Sequence, residues 1–84
     1  MNAKLPGGSL VRKRSIVVGG KHKTSIALED AFWNAFKEIA ASKKILLNDL
    51  ATQINNGRQH KNLSSAIRVF VLDHYRGMAE HKSE

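Results

Sequence analysis

Residues 23 to 28, Lys23-Thr24-Ser25-Ile26-Ala27-Leu28, alternate strictly in character. In an extended chain Lys23, Ser25 and Ala27 fall on one side and Thr24, Ile26 and Leu28 on the other. The second set is apolar enough to bury. The first set offers a cation, a hydroxyl and a methyl, which suit the edges of bases in a major groove. The cation can donate to guanine, the hydroxyl serves either base type, and the methyl can meet that of thymine. An ordinary half-buried strand with small solvent-facing residues carries the same alternation, so the pattern alone leaves both readings open.

Further cations precede this stretch. Residues 1 to 28 contain Lys4, Arg12, Lys13, Arg14, Lys21 and Lys23 and no acid, whereas residues 29 to 84 hold eight basic and seven acidic side chains. Nearly all of the formal net charge of +7 therefore lies at one end. That asymmetry is expected of a surface that meets nucleic acid. Arg12, Lys13, Arg14 and Lys21 are the candidates for phosphate contacts, which are sequence-independent and salt-dependent. A basic tail attracted to anionic lipid is the rival. No amphipathic basic helix supports it, and no stretch approaches the roughly 20 apolar residues of a spanning helix. The chain reads as cytoplasmic.

Catalysis and metal binding find little support. There is no cysteine to serve as nucleophile, as zinc ligand or in a disulfide, and the acids are scattered. Gly19-Gly20 belongs to no phosphate-cradling motif. His22, His60, His74 and His81 lack the spacing of a ligand set. No enzyme, metal or cofactor is expected.

The candidate strand must then be positioned. At 84 residues the chain is one domain, near the size at which a single core barely outweighs chain entropy, so self-association is a reasonable expectation. Residues 1 to 13 contain Pro6 and Gly7-Gly8 and read as a flexible basic arm. Residues 14 to 77 read as the folded domain, and residues 78 to 84 as a polar tail. "RSIVV", residues 14 to 18, is β-branched enough for a strand. Gly19-Gly20 after it permits a hairpin to residues 21 to 28, or serves as a joint that frees the second strand to pair with another molecule.

Asp30 is a candidate N-cap for a helix to about Ser42, with Phe32, Phe36, Ile39 and Ala40 at helical spacing and Trp33 bordering that face. Leu47, Leu50, Ala51 and Ile54 repeat the pattern over residues 46 to 56, and Asn55-Asn56-Gly57 reads as a stop. After a basic loop "RQHK", a third helix is expected from near Ser64 to about Arg76. Its run Val69-Phe70-Val71-Leu72 is apolar around much of the circumference and so needs more than one packing partner.

The order of basic arm, alternating strand and amphipathic helix, followed by "NLSSAIRVFVLDHYRG", resembles the ribbon-helix-helix superfamily of Arc and MetJ. "TSIALEDAFWNAFKEIA" is similar to that family's strand and first helix, and "NLSSAIRVFVLDHYR" to its closing helix. The resemblance implies a mainly α fold with a short N-terminal strand, paired antiparallel with its own copy in a homodimer and placed in the DNA major groove. It implies base contacts from Lys23, Ser25 and Ala27. A phosphate would lie at the start of the second family helix, matched here by Ser64 and Ser65. The chain departs from the family in an additional helix at residues 46 to 56. Either it or the helix from Leu63 could take the second position, and Asn62-Leu63-Ser64-Ser65, with its capping side chains, favours the latter. The function implied is that of a sequence-specific, homodimeric bacterial transcriptional repressor acting on double-stranded DNA. The alternative is an interaction module that binds another protein through residues 46 to 56, as an antitoxin or an enzyme regulator would.

Overall fold

The computed structural model describes residues 10 to 57 and 62 to 82, without the side chains of residues 79 to 82. The expectations for residues 1 to 9, for the loop at 58 to 61 including His60, and for the His81 side chain lie outside the described residues. The order of elements is two strands, β1 (Val11–Val18) and β2 (His22–Glu29), then three helices, α1 (Asp30–Lys43), α2 (Leu47–Gly57) and α3 (Leu63–Lys82).

A two-stranded antiparallel ribbon followed by helices is the expected architecture. In place of the intermolecular pairing that the resemblance implies, β2 pairs with β1 of its own chain, with Ser15 opposite Ser25 and Lys13 opposite Ala27. Gly19-Gly20 supplies the turn. Both glycines have positive φ, +65° and +77°, and a Cβ at either would meet nothing within 4 Å. Backbone conformation, not space, is what asks for glycine there. Val11, Arg12 and Lys13, read as part of the arm, belong to β1, because Val11 pairs with Glu29 at the far end of β2.

The inner side of the hairpin buries Ile16, Val18, Ile26 and Leu28 against Phe36 and Ile39 of α1, Leu50 and Ala51 of α2, and Ile67 and Val71 of α3. Among the described residues no polar or charged side chain is buried in this core. Phe36 meets Phe70 edge-on at 6.4 Å between ring centres.

Helix boundaries differ from expectation in two places, the start of α1 and the end of α3. Asp30 is the first residue of α1 rather than its cap: Glu29 stands before it in extended conformation, with no side-chain capping bond. The helix ends at Lys44, φ +60°, whose N–H reaches the carbonyls of Ala40 and Ala41 while that of Ile45 returns to Ala40. This is a Schellman-type close with a lysine where glycine is usual. Finally, α3 runs to Lys82, beyond Arg76. No proline interrupts "MAEHK", and the single Gly77 costs only about 1 kcal/mol in a helix.

Candidate nucleic-acid interface

The hairpin turns one side to solvent. On β2 the exposed side chains there are Lys23, Ser25 and Ala27, the three predicted from alternation, and on β1 they are Lys13 and Ser15, with the exposed Val11 beyond Lys13 at the end of the strand. The register sets Ser15 opposite Ser25, Lys13 opposite Ala27 and Lys23 opposite the half-buried Val17. The result is a narrow strip, hydroxyls at its centre and one lysine toward each end. Two strands about 4.8 Å apart fit a major groove about 12 Å wide.

The two acids at the end of the hairpin, Glu29 and Asp30, are paired. Glu29 accepts a hydrogen bond from Nε of Arg68 at 2.8 Å, and this bond above all holds its carboxyl below the usual range. Asp30 pairs with both Arg12 and Arg14. Those two pairs separate three cations that the sequence presents side by side. Arg14 is turned inward: its side chain is 20% exposed, it forms a close ion pair with Asp30, and its guanidinium lies 4.9 Å from the centre of the Trp33 ring. Arg12 keeps 59% of its side chain exposed beside Asp30, and Lys13 points to the outer side. Arg14 is thus withdrawn from the solvent-facing set, since alternation sends residues 12 and 14 to the side opposite residue 13. Lys21, in the turn, is exposed.

Both edges of the hairpin are met by helix starts. On the β1 edge the N–H of Val17 donates to Oδ1 of Asn48 at 3.1 Å, and that of Gly19 to Oγ1 of Thr52 at 3.0 Å. On the β2 edge the N–H of Ala27 donates to Oγ of Ser64 at 3.1 Å, and a terminal nitrogen of Arg68 reaches the Ala27 carbonyl at 3.3 Å. The expected roles of Ser64 and Ser65 change accordingly. Asn62 caps α3, its Oδ1 accepting the N–H of Ser65 at 2.8 Å, so that N–H is already engaged. Ser64 ties helix to strand. An open groove of about 490 Å³ runs between the outer part of β2 and this helix start, with Lys23, Ser25, Asn55, Asn62 and Ser64 among its lining.

Lys13 and Ser15 are the residues that sequence reading missed as partners of Lys23 and Ser25. The signal was present: Lys13-Arg14-Ser15-Ile16-Val17 and Lys23-Thr24-Ser25-Ile26-Ala27 share lysine, serine and isoleucine at the same spacing. His74 stands in an aromatic row with Phe70 and Tyr75. Among the described residues no three His, Cys, Asp or Glu side chains converge as a metal site would require. No described helix is long and apolar enough to cross a membrane.

The chain belongs to the ribbon-helix-helix domain family, whose model matches residues 11–75. That span takes in both strands, α1, α2 and most of α3, so the hairpin and α2 lie inside the match. The family is one of DNA-binding and regulatory modules. No curated protein and no solved structure gives a significant match.

Proposed function

We propose that the protein is a sequence-specific regulator of transcription, of the repressor kind, that lays the outer side of its hairpin in the major groove of double-stranded DNA. One observation carries this reading. Lys13, Ser15, Lys23, Ser25 and Ala27 form one exposed strip, and the two acids that follow it, Glu29 and Asp30, are paired to Arg68 and to Arg12 and Arg14. Lysine and serine then face base edges, while Arg12 and Lys21 at its margins serve the phosphates. The groove beside Ser64 offers a path for one DNA strand.

Two copies of the chain associate on this reading through α3, where Val69, Leu72 and Tyr75 are exposed large side chains at helical spacing. A Leu72→Glu chain should sediment as a monomer where the parent sediments as a dimer. If parent and variant sediment alike, association does not use that side of α3.

DNA reading is tested by salt titration on a selected duplex and a scrambled one. Lys23→Ala and Ser25→Ala should reduce preference for the selected site by about 1 to 3 kcal/mol for each bidentate-quality pairing removed, and leave scrambled binding nearly unchanged. Arg12→Ala and Lys21→Ala should weaken both duplexes alike, each reducing the magnitude of the negative slope of log K against log salt by about 0.9 for every phosphate it no longer neutralises. Strand variants that weaken both duplexes equally would show that the hairpin does not read bases.

A further inference from the structure

The hairpin and the two helix starts beside it obey an approximate two-fold relation within one chain. Ser15 and Ser25 face each other, and moving ten residues along the chain carries Lys13 to Lys23, Ile16 to Ile26 and Val17 to Ala27. In an antiparallel pair this places a dyad between the two serines, normal to the strip. The helices respect it. Val17 and Ala27 are equivalent under the relation, and the N–H of each is bound at 3.1 Å by the side chain of the second residue of a helix, Asn48 in α2 and Ser64 in α3. Sixteen residues separate those two positions. The same offset carries Leu50 and Ala51, both buried, onto Ala66 and Ile67, also buried.

We infer that one chain is by itself a complete, quasi-symmetric reading unit: β1 reads one half of a short quasi-palindromic DNA element and β2 the other, with Lys13 and Lys23 in equivalent roles. This rests on the proposed docking of the strip in the major groove. It adds that the second reading strand is β1 of the same chain rather than β2 of another. Lys13 and Lys23 lie four register positions apart, about 13 Å along the ribbon. At about 3.4 Å per base pair their targets lie roughly four base pairs apart. A lysine prefers guanine O6 and N7, so an element with guanines at its two ends, on opposite strands, fits the strip. A dimer through α3 would carry two such ribbons.

The test is selection from a randomised duplex library with the purified full chain, followed by the same selection with Lys13→Ala and with Lys23→Ala. Both lysines are exposed, so neither change disturbs the core. A short element should emerge for the parent. Lys23→Ala should relax one end of it and Lys13→Ala the other, each by on the order of ten-fold or more in relative affinity. If Lys23→Ala relaxes both ends and Lys13→Ala neither, two copies of β2 build the ribbon and the inference is overturned. It is equally overturned if Lys13→Ala lowers affinity for all sequences alike, since Lys13 is then a phosphate contact. No preferred element for the parent chain would instead reject the underlying DNA-reading proposal. Ser15→Ala and Ser25→Ala give an independent check, because under the dyad they should relax the two sides of the element's centre to similar extents.

Discussion

The two edges of the hairpin are closed by the same kind of bond from different side chains, and the difference separates two tasks that a helix start can perform. Beside β1, Asn48 and Thr52, one turn apart on α2, take the N–H groups of Val17 and Gly19. Beside β2, Ser64 takes the N–H of Ala27, while Arg68, again one turn on, spans to the Ala27 carbonyl and to Glu29. Among the described residues the α3 side thus adds an ion pair that the α2 side lacks. It also divides its labour, with Asn62 capping the helix and Ser64 holding the strand. An unpaired strand edge invites association with other chains. Here both edges are engaged by the chain itself, at Val17 of β1 and Gly19 just past its end on one side and at Ala27 of β2 on the other.

The largest effect should come from the support common to both halves. Phe36 is fully buried beneath the hairpin, and Phe36→Ala should cost about 3 to 5 kcal/mol, read as a shift in the denaturation midpoint. Phe70, which touches Phe36 edge-on but is only half-buried, should cost less when cut to alanine. Equal losses at the two positions would mean that α3 is packed more deeply than its exposure indicates, as burial by a second copy would produce.

Arg14 and Lys13 sharpen the contrast between the two sides of the same strand. Arg14→Ala removes the ion pair to Asp30 and the stacking on Trp33, so it should lower stability by about 1 to 2 kcal/mol, cation–π and ion-pair contributions together. Lys13→Ala should leave the thermal midpoint nearly unchanged. A chain destabilised equally by both would indicate that the outer side is also a packing surface.

The helix starts come next. Asn62→Ala removes a cap and should cost about 1 kcal/mol. Ser64→Ala and Asn48→Ala each release one strand N–H to water rather than burying it, so each should cost about 0.5 to 1 kcal/mol, measured by urea denaturation. If Ser64→Ala exceeds Asn62→Ala, the strand bond matters more than the cap. If Asn48→Ala is silent while Ser64→Ala is not, the two edges are not equivalent.

Much of this was legible in local pattern. The alternation in residues 23 to 28 marked both the exposed and the buried side of β2, the Phe36, Ile39 and Ala40 spacing marked the buried face of α1, and "NLSS" marked the start of α3. What was not legible depends on partners far along the chain. Whether Gly19-Gly20 is a turn or a joint cannot be read from two glycines, because the same positive-φ freedom serves either. Arg12, Lys13 and Arg14 look alike until Asp30 and Trp33, well downstream, claim two of them. Which of Asn62 and Ser64 caps α3 and which holds the strand is a matter of two residues of helical phase, and both side chains are capable caps.

The smallest effect is confined to the α3 side and is read by pH. The Glu29 carboxyl is held below its ordinary value, first by the hydrogen bond from Arg68. A carboxyl whose folded pKa is depressed binds its proton more readily in the unfolded chain. The stability it contributes is therefore present above the ordinary glutamate value of about 4.3 and is lost as pH falls through the lower folded value. Arg68→Met keeps most of the stem and removes the donor. It should lower stability modestly at pH 7, since the pair is partly open to solvent, and leave it nearly unchanged below the acid window, so the decline across that window flattens by the same modest amount. The α2 side supplies the control: Thr52→Val removes an uncharged bond to Gly19 and should shift stability by the same amount at pH 7 and at pH 4. An acid limb unchanged by Arg68→Met would mean that Glu29 finds another cation when Arg68 is gone. Arg12 and Arg14, paired across the end of the hairpin with the adjacent Asp30, are the nearest candidates in sequence register.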